Sequence, residues 1–245
     1  MTNSQALNAG PVWQALTRLG EAQILIPVAV LLMLVFAARP ESRRFALRWL
    51  LLTTVAALIT TASKLAFFGW GWGIAEINFT GISGHAMFAA AIYPVLMFAV
   101  MPVRVWGGIR LGPTVGLAMG LALGGALAVL VGLSRLVVGA HSHSEVLAGL
   151  LLGGAASALA IARASPAETT TSTTTSTPSA ETFSTPLAAR LHPVVPVILV
   201  VWLLWTPFEL PDSQTHSWVV RLALSLSGRE APFTRSQLFE PRVNL

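Results

Sequence analysis

Residues 132–149 read Gly132-Leu133-Ser134-Arg135-Leu136-Val137-Val138-Gly139-Ala140-His141-Ser142-His143-Ser144-Glu145-Val146-Leu147-Ala148-Gly149. One apolar run rich in small residues (112–133) leads into this stretch and another (144–162) leads out, so the charged groups are confined to the turn between them. Runs of about 18 or more apolar residues are long enough to cross a bilayer. The turn therefore sets Arg135, His141 and Glu145 at one membrane face. Ionisable groups at the edge of a span are costly to keep, so they point to function.

The rest of the chain extends this reading. Its 245 residues are 54% hydrophobic and only 10% charged, with mean hydropathy +0.71. That is too apolar for a soluble domain. Six apolar segments (22–38, 45–63, 85–102, 112–133, 144–162 and 192–207) would each be roughly 24–33 Å long as helices at 1.5 Å per residue. The expected fold is all-α, an integral-membrane bundle of six transmembrane helices. The expected divisions are an N-terminal segment (1–21), a core of five spans (22–163), a linker (164–189), a sixth span (190–208) and an outward-facing tail (209–245). Met1–Glu21 lacks the basic region, short apolar core and small-residue cleavage site of a signal peptide, and reads as a retained segment.

Arginine supplies nearly all of the net charge of +5. No basic stripe or aromatic platform accompanies it, which argues against a nucleic-acid partner. Arg39, Arg43, Arg44 and Arg48, then Arg104 and Arg110, then Arg163 and Arg190 fall in alternate connections, which the positive-inside rule makes cytoplasmic. The other connections and both termini then face outward. The tail arginines Arg221, Arg229, Arg235 and Arg242 run against that assignment. Trp49, Trp70, Trp72, Trp106, Trp202 and Trp205 stand near expected span ends, as an interfacial belt would place them. Gly120 and Gly124 have the small-xxx-small spacing that lets helices approach closely in lipid.

The Thr/Ser/Pro/Ala run within 164–189 has too few large apolar residues to order itself and reads as a disordered linker. In the tail, Trp218, Val219, Leu222 and Leu226 have helical spacing, with Gly228 as a stop. That helix would lie in the outer interface or pack on the bundle. Cysteine is absent, so there is neither a disulfide nor a thiolate metal site.

Two more polar groups fall on the expected outer face. Lys64, the single lysine of the chain, ends the second apolar segment, and Ser83-Gly84-His85 opens the third. A helix start with free N–H groups attracts an anion, Gly84 lets the backbone come close, and Lys64 and Arg135 add full positive charge. Glu145, four residues after His141, is placed to orient its ring, as the acid of a serine-protease triad orients its base. His141, His143 and Glu145 form a His-x-His-x-Glu cluster, but alternate residues diverge at a helix start, so no metal site is expected and His143 reads as a solvated loop residue. His192 and His216 read as ordinary interface residues.

At these positions the sequence resembles the type-2 phosphatidic acid phosphatase family, whose wider superfamily includes the vanadium haloperoxidases. The family pattern is a Lys with Arg-Pro seven and eight residues on, then Pro-Ser-Gly-His, then Ser-Arg followed by His and Asp. Lys64, Ser83-Gly84-His85 and Ser134-Arg135 with His141 match it in order, over about residues 45–160. The resemblance implies that His141 is the nucleophile, that His85 protonates the leaving oxygen, and that Lys64, Ser83, Gly84 and Arg135 bind the phosphoryl oxygens. It implies no metal and no cofactor. The substrate implied is a lipid phosphate or pyrophosphate in the membrane, hydrolysed at the outer leaflet of the inner membrane. The sequence departs from the pattern at three places: Gly71-Trp72 stands for Arg-Pro, Ile82 for Pro, and Glu145 for Asp. These departures leave a second expectation, a catalytically weak relative that binds lipid headgroups or serves in transport or as a scaffold. Peroxidase chemistry with bound vanadate has only the superfamily in its favour. The sequence carries no sign of oligomeric state.

Overall fold

The computed structural model describes residues 10–100, 113–162, 194–209 and 214–239. The linker 164–189, Trp106, His192, Arg104, Arg110, Arg163, Arg190 and Arg242 lie outside them. Among the described residues the protein is helical, with one isolated antiparallel bridge between Ile74 and Phe79. The helices are α1 (Pro11–Arg18), α2 (Ala22–Ala37), α3 (Pro40–Trp70), α4 (Gly84–Val100), α5 (Pro113–Val137), α6 (His143–Ala162), α7 (Val194–Glu209) and α8 (Thr215–Ser227).

The described parts of all six apolar segments of the sequence fall in or directly at the ends of helices α2 to α7. Among the described residues, α3, α5 and α6 are each long and apolar enough to cross a membrane. A fourth span is reached if α1 and α2, which meet at 44°, count as one broken crossing. The exposed surface of these helices carries large apolar residues such as Leu51, Leu58, Leu130, Leu147 and Leu151. A soluble protein seldom shows water so much contiguous apolar surface, and a bilayer accounts for it.

Helix α4 is the axis of the bundle, with Met87, Ile92, Tyr93, Val95 and Leu96 all buried. Glycine rows on its two neighbours make this possible. A Cβ on Gly124 of α5 would lie 2.5 Å from the Cα of Pro94, and one on Gly149 of α6 would lie 2.6 Å from the Ser83 carbonyl oxygen. Gly120 abuts the Met97 carbonyl, and Gly153 the Met87 carbonyl. In lipid, where the hydrophobic effect does not press helices together, such close packing is a main source of attraction. Gly149→Val is expected to push α6 off the start of α4 and to lower stability by about 1–3 kcal/mol, the usual cost of overpacking. A thermal unfolding curve in detergent checks this, and one superimposable on the parent's would mean that the two helices do not approach so closely.

Two elements differ from expectation. Helix α3 runs on to Trp70, so Lys64 lies inside the helix, six residues before its end. The helix stops at Gly71, whose φ of +70° is the left-handed cap that glycine adopts without strain. Trp49 is not interfacial: it is buried against α4, and its indole N–H donates to the Ala91 carbonyl (3.0 Å). Trp70, Trp72 and Trp205 are exposed as a belt would require. In the tail, α8 forms as expected and ends at Gly228. It both packs and faces outward: its Ala223 and Ser227 abut Gly69 of α3, while Trp218, Leu222 and Leu226 are exposed on the other side.

Candidate active site

Lys64, Gly84, His85, Arg135 and His141 line a single open cavity of about 750 Å³. The chain delivers them from α3, α4, α5 and the turn between α5 and α6. The loop before α4 wraps over Lys64: at Gly81 (φ +139°) a Cβ would stand 3.0 Å from the lysine Cγ. The Ile82 N–H donates to Ser63 Oγ (3.0 Å), and the Ser83 N–H donates to the Glu145 carbonyl (3.1 Å). The start of α4 is thereby pinned between α3 and α6. A Cβ on Gly84 would lie 3.7 Å from Lys64 Nζ, so the glycine keeps clear the space in front of the ammonium group. Ser83 is buried, and its hydroxyl, like Arg135 Nε, has no hydrogen-bond partner among the described residues. These donors suit an anion, and no metal is called for by the set.

The ring of His141 is fixed from behind. Its Nδ1 lies 2.7 Å from Glu145 Oε2. An ionised carboxylate only accepts, so Nδ1 carries the proton and Nε2 keeps its lone pair. Burial lowers the pKa of His141 from 6.5 to about 4; the hydrogen bond to Glu145 opposes this, and the charges of Lys64 and Arg135 add to the lowering.

Glu145 is fully buried and held on every side. Its Oε1 accepts from the Thr80 N–H (2.7 Å) and hydroxyl (2.5 Å), and its Oε2 from the Ser142 N–H (3.0 Å). The Glu145 N–H in turn donates to Ser142 Oγ (3.4 Å). Ser142 and Glu145 thus form the reciprocal capping box of a Ser-x-x-Glu helix start. That geometry takes a Glu three residues after the Ser, and the longer side chain still reaches His141.

Three contributors were not anticipated from sequence. Arg235, from the tail, donates through Nη2 to both Glu145 oxygens (2.8 Å each) and to Thr80 Oγ1 (3.1 Å). Its Nη1 donates to the Asn78 carbonyl (3.1 Å) and Oδ1 (2.8 Å). Thr17, at the end of α1, accepts from Arg135 Nη1 (2.9 Å). His216 lines the cavity edge-on to Phe68 (5.3 Å) rather than lying apart from it. The partial dehydration of its exposed ring, and then the field of Lys64 and Arg135, lower its pKa. The Ser-x-x-Glu spacing could have announced the capping box; no local pattern announces Arg235, Thr17 or His216. His143 is exposed at the start of α6.

The site is thus a cationic cavity with an oriented histidine–carboxylate pair, set at one end of an apolar helical bundle. A sequence model of the PAP2 superfamily matches residues 68–169. An uncharacterized 22.5 kDa protein in the cps region of Klebsiella pneumoniae is 43% identical over 147 residues, 60% of this chain, and the chain spans 66% of the length of that relative. The solved PAP2-type phosphatidylglycerolphosphate phosphatase of Bacillus subtilis is 24% identical, with a TM-score of 0.47 over 66% of this chain and 81% of its own. Over residues 68–169 the chain is similar to the PAP2 superfamily, and it is a membrane protein with transmembrane helices.

Proposed function

We propose that the protein is a membrane phosphatase that hydrolyses a lipid phosphate or pyrophosphate monoester through a phosphohistidine, with its site at the outer, periplasmic leaflet of the inner membrane. The observation that carries this reading is the His141–Glu145 pair opening on the cavity that Lys64 and Arg135 also line. In this reading His141 Nε2 attacks phosphorus, the bond from phosphorus to the lipid oxygen breaks, and His85 gives that oxygen its proton. His85 then takes a proton from water as the water oxygen attacks phosphorus and the P–N bond breaks, releasing phosphate. Lys64, Arg135 and the donors at Ser83 and Gly84 hold the phosphoryl oxygens and meet the charge that develops on them.

A second observation favours an amphiphilic substrate. An apolar groove of about 260 Å³ runs between α2 and α3, and Ile26, Ala57 and Phe88 border both it and the cationic cavity. A headgroup in the cavity and a hydrocarbon chain in the groove would form one continuous ligand. An oriented base also favours catalysis over headgroup binding alone, since binding needs only the cations.

Phosphate release by the purified full chain in detergent, over a panel of lipid phosphates and pyrophosphates with His141→Ala as blank, tests the proposal. Release above the blank from at least one lipid, inhibited by vanadate, is expected. Release at the blank level from every lipid would sink it.

A further inference from the structure

The tail closes over the site in a way that the phosphatase pattern does not require. Beyond α8, the Phe233 N–H donates to the Phe68 carbonyl (3.0 Å), and the Phe233 ring covers Gly71, 3.0 Å from where a Cβ would be. The Arg229 guanidinium lies over that ring at 4.0 Å. Phe233 thus fills the space beside the position at which an arginine is absent from this chain. Two residues further on, Arg235 enters the cavity wall and meets Glu145.

Electrostatics gives this contact a purpose. The Glu145 side chain is 0% exposed and that of Arg235 23%. A buried carboxylate is strongly disfavoured unless a charge compensates it. Thr80 and Ser142 offer dipoles, His141 offers a neutral N–H, and Arg235 offers the full positive charge. Nη2 spans both oxygens, and Nη1 is tied to Asn78, so the guanidinium is fixed at two points.

We propose that Arg235 is a positioning residue: it locks the Glu145 carboxylate with Oε2 towards His141 Nδ1, and so aims the Nε2 lone pair of His141 into the cavity. The kinetic part rests on the phosphatase reading; the contact itself does not. Arg235 also tempers Glu145. With its charge partly met, the carboxylate draws less strongly on the His141 proton, which keeps the ring neutral and nucleophilic. The other charged or titratable groups around this pair are Lys64 on α3, His85 on α4 and Arg135 on α5.

The test uses the full chain in detergent, with Arg235→Ala, Arg235→Lys and two readouts. By phosphate release, Arg235→Ala is expected to lower kcat roughly tenfold to a hundredfold, the range typical when the partner of a functional ligand is removed, with KM little changed. Millimolar guanidinium should restore part of the rate, and Arg235→Lys should fall between the two. The second readout is the imidazole NMR titration of His141, which is independent of turnover. It should move to higher pH in Arg235→Ala, because the unshielded carboxylate then favours the imidazolium more strongly, and stay near the parent's in Arg235→Lys. An unmoved titration in Arg235→Ala overturns the proposal, as does a raised KM at unchanged kcat, which would put Arg235 on the substrate. If no lipid is hydrolysed by the parent chain, a moved titration still upholds the Arg235–Glu145–His141 coupling while the phosphatase reading fails.

Discussion

His141→Ala is expected to abolish phosphate release, by roughly three orders of magnitude or more, as loss of a covalent nucleophile does. The size follows from the arrangement. The Glu145 carboxylate, held by Thr80, Ser142 and Arg235, engages Nδ1 of this ring. His85 lines the same cavity, with no carboxylate hydrogen-bonded to its ring among the described residues. His141→Ala should leave the helices folded, because the ring contributes to the site and not to the α4 core. A variant that folds and keeps the parent rate would remove the phosphohistidine from the mechanism.

The same residue sets the acid side of the pH profile. With a folded pKa of about 4, His141 stays neutral through the interval between 4 and the ordinary value of 6.5, where a free histidine would be charging. The kcat/KM of the free enzyme should therefore fall only as pH drops towards about 4. Stability runs the same way: below 6.5 the unfolded chain binds the proton that folded His141 refuses, so this residue costs stability progressively down to pH 4.

Lys64→Met is the second large effect. With Gly71 carrying no charge, Lys64 and Arg135 are, among the described residues, the cations facing the proposed phosphoryl site, and Arg235 is committed to Glu145. Losing one preorganised charge costs about 10²–10³ in rate at comparable sites, and little remains here to share the load. Methionine keeps the length of the side chain, and removing a half-buried cation that Arg135 repels relieves that repulsion. The variant is therefore expected to unfold at the same temperature as the parent or higher while losing activity, the opposition of stability and function typical of strained sites. Phosphate release and thermal unfolding in detergent, measured on the same preparation, separate the two. Retained activity would show that Lys64 does not hold phosphate.

Much of this was legible in the sequence because lipid leaves so few options. Each apolar run of sufficient length had to satisfy its backbone internally, and each became a helix. Rare polar residues at the ends of those runs were conspicuous, and Lys64, Gly84, His85, Arg135 and His141 do line one cavity. What stayed hidden depends on contacts across the chain. Trp49 looks interfacial by its place in the sequence, and only the Ala91 carbonyl opposite explains its burial. The tail arginines conflicted with the charge rule for topology, and three of them turn out to have partners: Arg221 the Ser217 carbonyl, Arg229 the Phe233 ring, and Arg235 the Glu145 carboxylate. Glu145 itself looked one methylene too long. The extra length is what lets a single carboxylate serve a helix cap, a histidine and an arginine together.

The route by which Arg235 arrives has a consequence for the timing of biogenesis. It lies 90 residues beyond Glu145 and 157 beyond Asn78, so a ribosome can complete every helix from α2 to α6 while Glu145 still lacks its guanidinium. A nascent chain is then assembled but unarmed, and the final clasp closes only once the tail has been made and has reached the same side of the membrane. Stalled or C-terminally clipped chains would remain in the bilayer with a buried Glu145 that no guanidinium meets and, on the proposed reading, with activity lowered as in Arg235→Ala.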